Sequence, residues 1–456
     1  MRFALLLALL VVGTACAQVP APAPPPDRPV TLDDQAPKRA DTPQNVILMI
    51  ADGFGPASAT LGAAAKGAPL AFDSLLVGSV ETSATDNRVT DSAAGATAFA
   101  CGIKTYNGAI AVDTLGLPCR TLLEAAEDRG MVSGLVATSR ITHATPASFA
   151  THVLARSQEA EIARQLAASE VDLLFGGGRR FFTERPLGDA SADTDLLRPL
   201  TEVMTTSGWS VAVDAAGYDA IAALPAAAFL AESHLAYEVD RDETDEPSIA
   251  EMTQKAIDLL AAEAGEAGFF LMVEGSRIDH AGHGNDPAGH LGDILAYDEA
   301  VAVALAFAAA DGNTLVVSTS DHETGGMTLG RDDVYFWDPA PVLRATASFE
   351  AMTARLRAGG DPEAVIREGL GLDELPEGTA EAVEGAIASG DPFALGPVIR
   401  DLASEPAGIG WTTGGHTAID VGLYAFGPGA SHFEGRMPND AVGRALFRAM
   451  GLSPDE

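Results

Sequence analysis

Hydrophobic positions in this chain come in continuous blocks rather than in alternation with polar ones. Asn45-Val46-Ile47-Leu48-Met49-Ile50-Ala51, Gly268 to Val273, Thr314 to Ser320 and a run through Tyr424 are the clearest, with a shorter one from Val171 to Phe175. Continuous apolar runs of this length, alternating with helical segments, predict central strands of a parallel sheet covered on both faces. Three of the runs end in the same kind of residue. The first enters Asp52-Gly53, the second Glu274 and then Asp279 and His283, the third Asp321-His322-Glu323-Thr324-Gly325-Gly326. Thr412-Thr413-Gly414-Gly415-His416-Thr417 precedes the run through Tyr424. Parallel sheets gather ligands beyond the carboxyl ends of their strands, where most of these polar groups fall.

One helical segment stands apart. In Val89-Thr90-Asp91-Ser92-Ala93-Ala94-Gly95-Ala96-Thr97 a hydroxyl preceded by a carboxylate sits at the first turn of a small-residue helix, which Gly102 is placed to end. A helix N-terminus offers free N–H groups and partial positive charge, a fit for phosphate. Each residue also has a plainer account. Asp91 and Ser92 can simply cap a helix, Asp52 and Glu274 can be turn residues before glycine, and His416 a capped loop histidine. Taken together those accounts fail, because they give no reason for so many such residues at strand ends.

The motifs, in this order, resemble those of the alkaline phosphatases of the two-zinc, one-magnesium type. The resemblance runs in pieces from Asn45 to the C-terminus. It lies in Asp52-Gly53, Thr90-Asp91-Ser92-Ala93-Ala94, Lys104-Thr105-Tyr106-Asn107-Gly108, His143-Ala144-Thr145-Pro146, Val273-Glu274-Gly275-Ser276-Arg277-Ile278-Asp279-His280, Asp321-His322-Glu323-Thr324-Gly325-Gly326 and Gly415-His416-Thr417. It implies an α/β fold, three-layer α/β/α with a large mostly parallel central sheet and helical insertions. It also implies two Zn2+ and one Mg2+ per chain. Asp279, His283 and His416 are expected to bind the first zinc, and Asp52, Asp321 and His322 the second. Asp52, Thr145 and Glu274 form an oxygen-rich third site, with Asp52 bridging. Mixed oxygen and imidazole donors suit zinc and magnesium. The i,i+4 spacing of Asp279 and His283 allows both onto one helical face.

Further roles follow from the same resemblance. Ser92 is the nucleophile and forms a phosphoserine, and two inversions give net retention at phosphorus. Arg156 is the phosphate clamp and Asp91 orients it, with Arg140 and Arg164 as competing surface arginines. His143 and His280 stand where some members carry Asp and Lys and others, animal forms included, carry His. The resemblance places His143 beside the third metal site and His280 beside the phosphate pocket, so the third site is open to Zn2+ or Co2+ as well as Mg2+. His152, His234, His290 and His432 have no partner motif and read as structural or surface residues. Gly176-Gly177-Gly178 lacks Walker spacing and reads as a strand-end turn.

The 456 residues suffice for one large α/β domain. Arg2 followed by an apolar stretch from Phe3 to Val12 reads as a secretory signal over residues 1–17, too short to remain as a membrane span. Cleavage after Ala17 and lipidation at Cys16 are both open, so membrane attachment is expected only through such an anchor. The destination is then the bacterial periplasm, outer surface or medium. Residues 18–44, rich in Pro and Ala, form a linker, and the catalytic domain covers 45–456. Insertions are expected near 179–245, as an Ala-rich acidic cap, and 331–409, mostly helical, with Phe349 to Arg357 and Thr379 to Ser389 as helices. Cys101 and Cys119 are candidates for one disulfide in an oxidising compartment.

A formal net charge of −36, from 64 acidic and 28 basic residues, excludes a broad basic nucleic-acid surface. The expected partners are small phosphate monoesters, with a homodimer left open. Alternatives are a phosphodiesterase, sulfatase or mutase of the same superfamily, or a zinc-storing lipoprotein. A sulfatase needs a modifiable Cys or Ser followed by Pro-x-Arg, which Asp91-Ser92-Ala93-Ala94 is not. Diesterases of the superfamily generally use Thr and lack the third site, and a storage protein needs neither Ser92 nor Arg156.

Overall fold

The apolar runs at Asn45–Ile50, Phe269–Glu274 and Thr314–Thr319 are neighbouring strands at the centre of a ten-stranded sheet. In this computed structural model residues 42–184, 198–390 and 394–453 are described. The expected signal and most of the 18–44 linker lie outside them. The strands are β1 (Asn45–Ile50), β2 (Leu76–Glu81), β3 (Val132–Arg140), β4 (Leu173–Gly177), β5 (Ser210–Ala212), β6 (Ala226–Phe229), β7 (Phe269–Glu274), β8 (Thr314–Thr319), β9 (Val421–Phe426) and β10 (Gly435–Pro438). Their spatial order is β10-β2-β9-β8-β1-β7-β3-β4-β6-β5. Every neighbouring pair is parallel except those of β9, which is antiparallel to both β2 and β8.

The continuous hydrophobicity of the central strands follows from helices on both faces. On β1, Val46, Leu48 and Ile50 join one apolar cluster while Ile47 and Met49 join the other. The same division separates Phe270 and Met272 from Phe269, Leu271 and Val273 on β7. Helices Ser92–Cys101, Ala144–Ala150 and Asn439–Ala449 supply the first cluster; Ile249–Glu263 and Pro287–Asp311 supply the second. Successive strand residues point to opposite faces, so a two-sided core requires apolar side chains at every position.

The stretch 179–245 differs from its expectation as a cap. It contributes β5 and β6 to the edge of the main sheet, β6 pairing with β4 and β5 with β6. Ala226-Ala227-Ala228-Phe229 is fully buried there, and Phe229 stacks on Phe182 with ring centroids 3.8 Å apart. An alanine run carries high helix propensity, and strand pairing together with complete burial overrides it. The stretch 331–409 is mostly helical, with helices Phe349–Arg357 and Thr379–Ala388, and has an apolar cluster of its own around Phe349, Met352, Leu356, Ile366 and Ile399. Cys101 and Cys119 are bonded. No described helix is long and apolar enough to cross a membrane.

Candidate active site

Because β1, β3, β7 and β8 are parallel neighbours, the chain leaves all four at one edge of the sheet. Asp52 follows β1, His143 and Thr145 follow β3, Glu274 closes β7, and Asp321 and His322 follow β8. Asp279 and His283 stand one turn apart on the Arg277–Gly284 helix. His416 arrives from the far end of the chain through a two-residue antiparallel pairing, His416–Thr417 with Glu323–Thr324.

These residues form three overlapping groups, each with candidate ligand atoms within 4.8 Å of one another: Asp279, His283 and His416; Asp52, Asp279 and His322; and Asp52, His143 and Glu274. Asp321 adjoins the second, its Oδ2 lying 3.3 Å from His322 Nε2. Asp279 joins two groups, as does Asp52. His280 belongs to none.

Donor and acceptor roles fix three imidazoles with a lone pair facing inward. His283 Nδ1 donates to the Gly414 carbonyl at 2.7 Å, and His416 Nδ1 to the Thr90 carbonyl at 2.9 Å. Thr324 Oγ1 gives its proton to Asp279 at 2.5 Å and so accepts from His322 Nδ1 at 3.3 Å. A carbonyl cannot donate, so the Nε2 atoms of His283 and His416 are both unprotonated in the neutral rings, yet they lie 3.1 Å apart. Two lone pairs that close are suited to sharing a cation. The oxygen-rich group leads to the same conclusion. Both Asp52 oxygens, Asp321 Oδ2, Glu274 Oε1, Thr145 Oγ1 and His143 Nδ1 are buried without a hydrogen-bond partner among the described residues. Burial, then the neighbouring carboxylates, holds the Asp52 carboxyl well above its usual range and pushes Asp321 to about 8. Burial raises Glu274 to about 7. Ionised carboxylates packed this way need positive charge, and the donor set fits zinc at the imidazole groups and a harder cation at the oxygen group.

Ser92 opens its helix beside these groups. Asp91 is the N-cap, its side chain accepting from Ala94 N at 3.0 Å, and Gly102 ends the helix in the left-handed region. Asp91 therefore does cap the helix, and it also does more. Its Oδ1 accepts from Gly108 N, and its Oδ2 pairs with Arg156 at 3.1 Å. Ser92 Oγ lies 3.2 Å from His322 Nε2, which can only accept, so the hydroxyl donates. Arg156 Nη2 donates to His143 Nε2 at 3.0 Å. The guanidinium is thus held between Asp91 and His143, beside the helix N-terminus. Arg140 is engaged elsewhere, with Glu159 and His234, and Arg164 pairs with Glu161.

A profile of the alkaline phosphatase family matches residues 43–452. The chain belongs to the alkaline phosphatase family. It is similar to the repressible alkaline phosphatase of Saccharomyces cerevisiae, 38% identical over 91% of this chain and 82% of the yeast one. A cold-active alkaline phosphatase structure from a psychrophilic Shewanella superposes with a TM-score of 0.80, at 32% identity over 89% of this chain and 99% of that one. The alkaline phosphatase of the Antarctic bacterium TAB5, in a variant with an Asp in place of a His and magnesium bound in its M3 site, gives 0.66 at 30% identity, over 90% and 99%. The chain is accordingly an alkaline phosphatase-type hydrolase with metal-binding residue clusters.

Several residues of the site were not visible in the sequence. His234 packs against His280, ring centroids 4.3 Å apart, and against His143 at 5.7 Å. It lies 91 positions after His143 with no motif around it. Ser139, also outside the motifs, donates to Glu274 at 3.3 Å, whereas Asn107, which accepts from Asp91 N at 2.9 Å, lies inside the Lys104-Thr105-Tyr106-Asn107-Gly108 motif. The other histidines without partner motifs have ordinary roles. His152 bridges the Ala111 carbonyl and Glu124, and buried His290 lies between the Ile278 carbonyl and Ser58.

Proposed function

We propose that the chain is an exported, metal-dependent phosphomonoesterase that works through a phosphoserine at Ser92. The observation that carries this reading is Ser92 itself: a hydroxyl at a helix N-terminus, 3.2 Å from an imidazole lone pair, next to Asp91, which tethers Arg156. Asp279, His283 and His416 would hold one zinc, and Asp52, Asp321 and His322 the second. Asp52, Thr145 and Glu274 would hold magnesium; Zn2+ or Co2+ could replace it there if His143 gave up the Arg156 hydrogen bond and turned a lone pair toward the group. Magnesium in the M3 site of the TAB5 variant supports a third cation here. When bound, these cations supply Lewis acidity, lowering the pKa of the serine hydroxyl and screening charge on the phosphoryl and leaving oxygens.

The chain's own groups supply the rest. The helix N-terminus receives the phosphoryl group with free N–H groups and its dipole. Arg156, steadied by Asp91, grips two non-bridging oxygens with its planar fork. Ser92 Oγ bonds to phosphorus as the ester oxygen departs as the alcohol, and phosphoserine remains. Water then attacks from the vacated side, inorganic phosphate leaves, and the two inversions give retention. The Ser nucleophile and the Thr145–Glu274 group favour a monoester over a diester. Parallel turnover of a monoester and a diester by metal-analysed protein tests the reading. Faster diester turnover, or turnover without bound metal, would overturn it.

A further inference from the structure

Arg277 begins the Arg277–Gly284 helix, three residues before His280, and its side chain is almost wholly buried. Three groups hold its guanidinium. The Tyr237 ring lies beneath it, 3.6 Å from ring centroid to Cζ. Glu350 pairs with Nη2 at 3.0 Å. His280 Nδ1 lies 3.1 Å from Nη1. Tyr237 comes from the 179–245 stretch and Glu350 from the Phe349–Arg357 helix, so both stretches that carried no motif converge on this one side chain.

The last contact has only one chemical reading. A guanidinium has donors and no acceptor, so His280 Nδ1 must accept. The neutral ring then carries its proton on Nε2, and Nε2 has no hydrogen-bond partner among the described residues. His280 lies outside every ligand cluster. Its ring is 5.5 Å, centroid to centroid, from that of His143, which itself touches Arg156. The ring therefore stands one imidazole away from the residue assigned to grip phosphate.

We propose that Arg277 is a positioning residue that holds His280 as an Nε2–H donor for the anionic substrate and prevents it from acting as a metal ligand. The inference rests on the phosphomonoesterase reading for the identity of the anion, and on the geometry alone for the tautomer. His143 likewise accepts from an arginine, Arg156, through Nε2; what sets the two apart is that His143 adjoins the third metal group and His280 does not.

The test uses metal-loaded enzyme labelled with nitrogen-15 at histidine, and long-range proton–nitrogen correlation spectra, with His280→Gln to assign the signal. The parent is expected to show His280 protonated at Nε2 and free of metal. Arg277→Met should lose that fixed tautomer and weaken inorganic phosphate binding and KM about tenfold, the scale of one lost hydrogen bond to a charged group. Its kcat should change less and its metal content should stay constant. Arg277→Lys, which keeps a donor, should recover most of the loss. Parent His280 protonated at Nδ1, or shifted by metal coordination, overturns the proposal. So does Arg277→Met with unchanged tautomer and unchanged phosphate affinity. If Arg277→Met does not fold, the parent spectrum still decides. Absence of monoester turnover in the parent would overturn the functional reading while the spectrum separately judges the tautomer.

Discussion

The two ends of the ligand array are built on opposite principles. At the outer end, Asp279, His283 and His416 combine one carboxylate with two imidazoles, and the His283 side chain is 40% exposed. Backbone carbonyls fix both tautomers, so this group is organised before any cation arrives. At the inner end, Asp52, Thr145 and Glu274 are completely buried and their orphaned oxygens face one another. Water can solvate the outer group when it is empty. The inner group, when empty, must take up protons. The difference teaches that a cation at the outer end mainly completes chemistry, while one at the inner end also holds the fold together.

The largest expected effect belongs to Ser92, which stands beside this array. Ser92→Ala should lower kcat by roughly 10⁴-fold or more, the scale seen when a covalent nucleophile is removed, with metal content and phosphate binding nearly unchanged. Burst kinetics and metal analysis check it, and full activity would end the covalent mechanism. Arg156→Ala should cost about 2–4 kcal/mol in transition-state stabilisation and weaken phosphate binding without abolishing turnover. A larger loss from Arg164→Ala would show that the clamp has been misassigned.

Metal removal sharpens the contrast most directly. A chelator should take the outer cation first, abolishing activity while the melting temperature barely moves; loss of the inner cation should then lower it by several degrees. In the stripped protein the sign of the pH dependence follows from the raised carboxyls. Folded-state values near 7 for Glu274 and 8 for Asp321 exceed the ordinary 4.5 and 3.8. Their protonated forms are therefore favoured by folding. That contribution is fully present below about pH 4 and is lost as pH rises through 7–8. Stripped protein should lose stability across this window and metal-loaded protein should not, as thermal scans would reveal. Parallel curves for the two forms would show that Glu274 and Asp321 are not held by metal.

The smallest effect is a change of preference. Replacing His143 by Asp and His280 by Lys makes the inner end entirely oxygen-donating and should shift activation toward magnesium and away from cobalt. Titration of stripped protein with each ion measures it, and identical preference in parent and variant would remove His143 from the third site.

The central strands and the order of the site motifs were legible because each depends on local pattern. Two-sided burial demands unbroken apolar runs, as in β1 and β7, and a strand's carboxyl end is marked by the first polar residue after the run, as at Asp52. The helix start at Asp91-Ser92 was legible for the same reason, capping being a contact within four residues. Other features were decided only in three dimensions. The alanines of β6 joined the sheet because strand pairing and burial outweigh local propensity. Proton positions on His283, His416, His322 and His280 depend on whether a carbonyl, a hydroxyl or a guanidinium faces each ring. Those partners lie anywhere from two to 326 residues away in the chain. A sequence can state that an imidazole is present. Which of its nitrogens offers a lone pair and which a proton is set by what the fold packs against it.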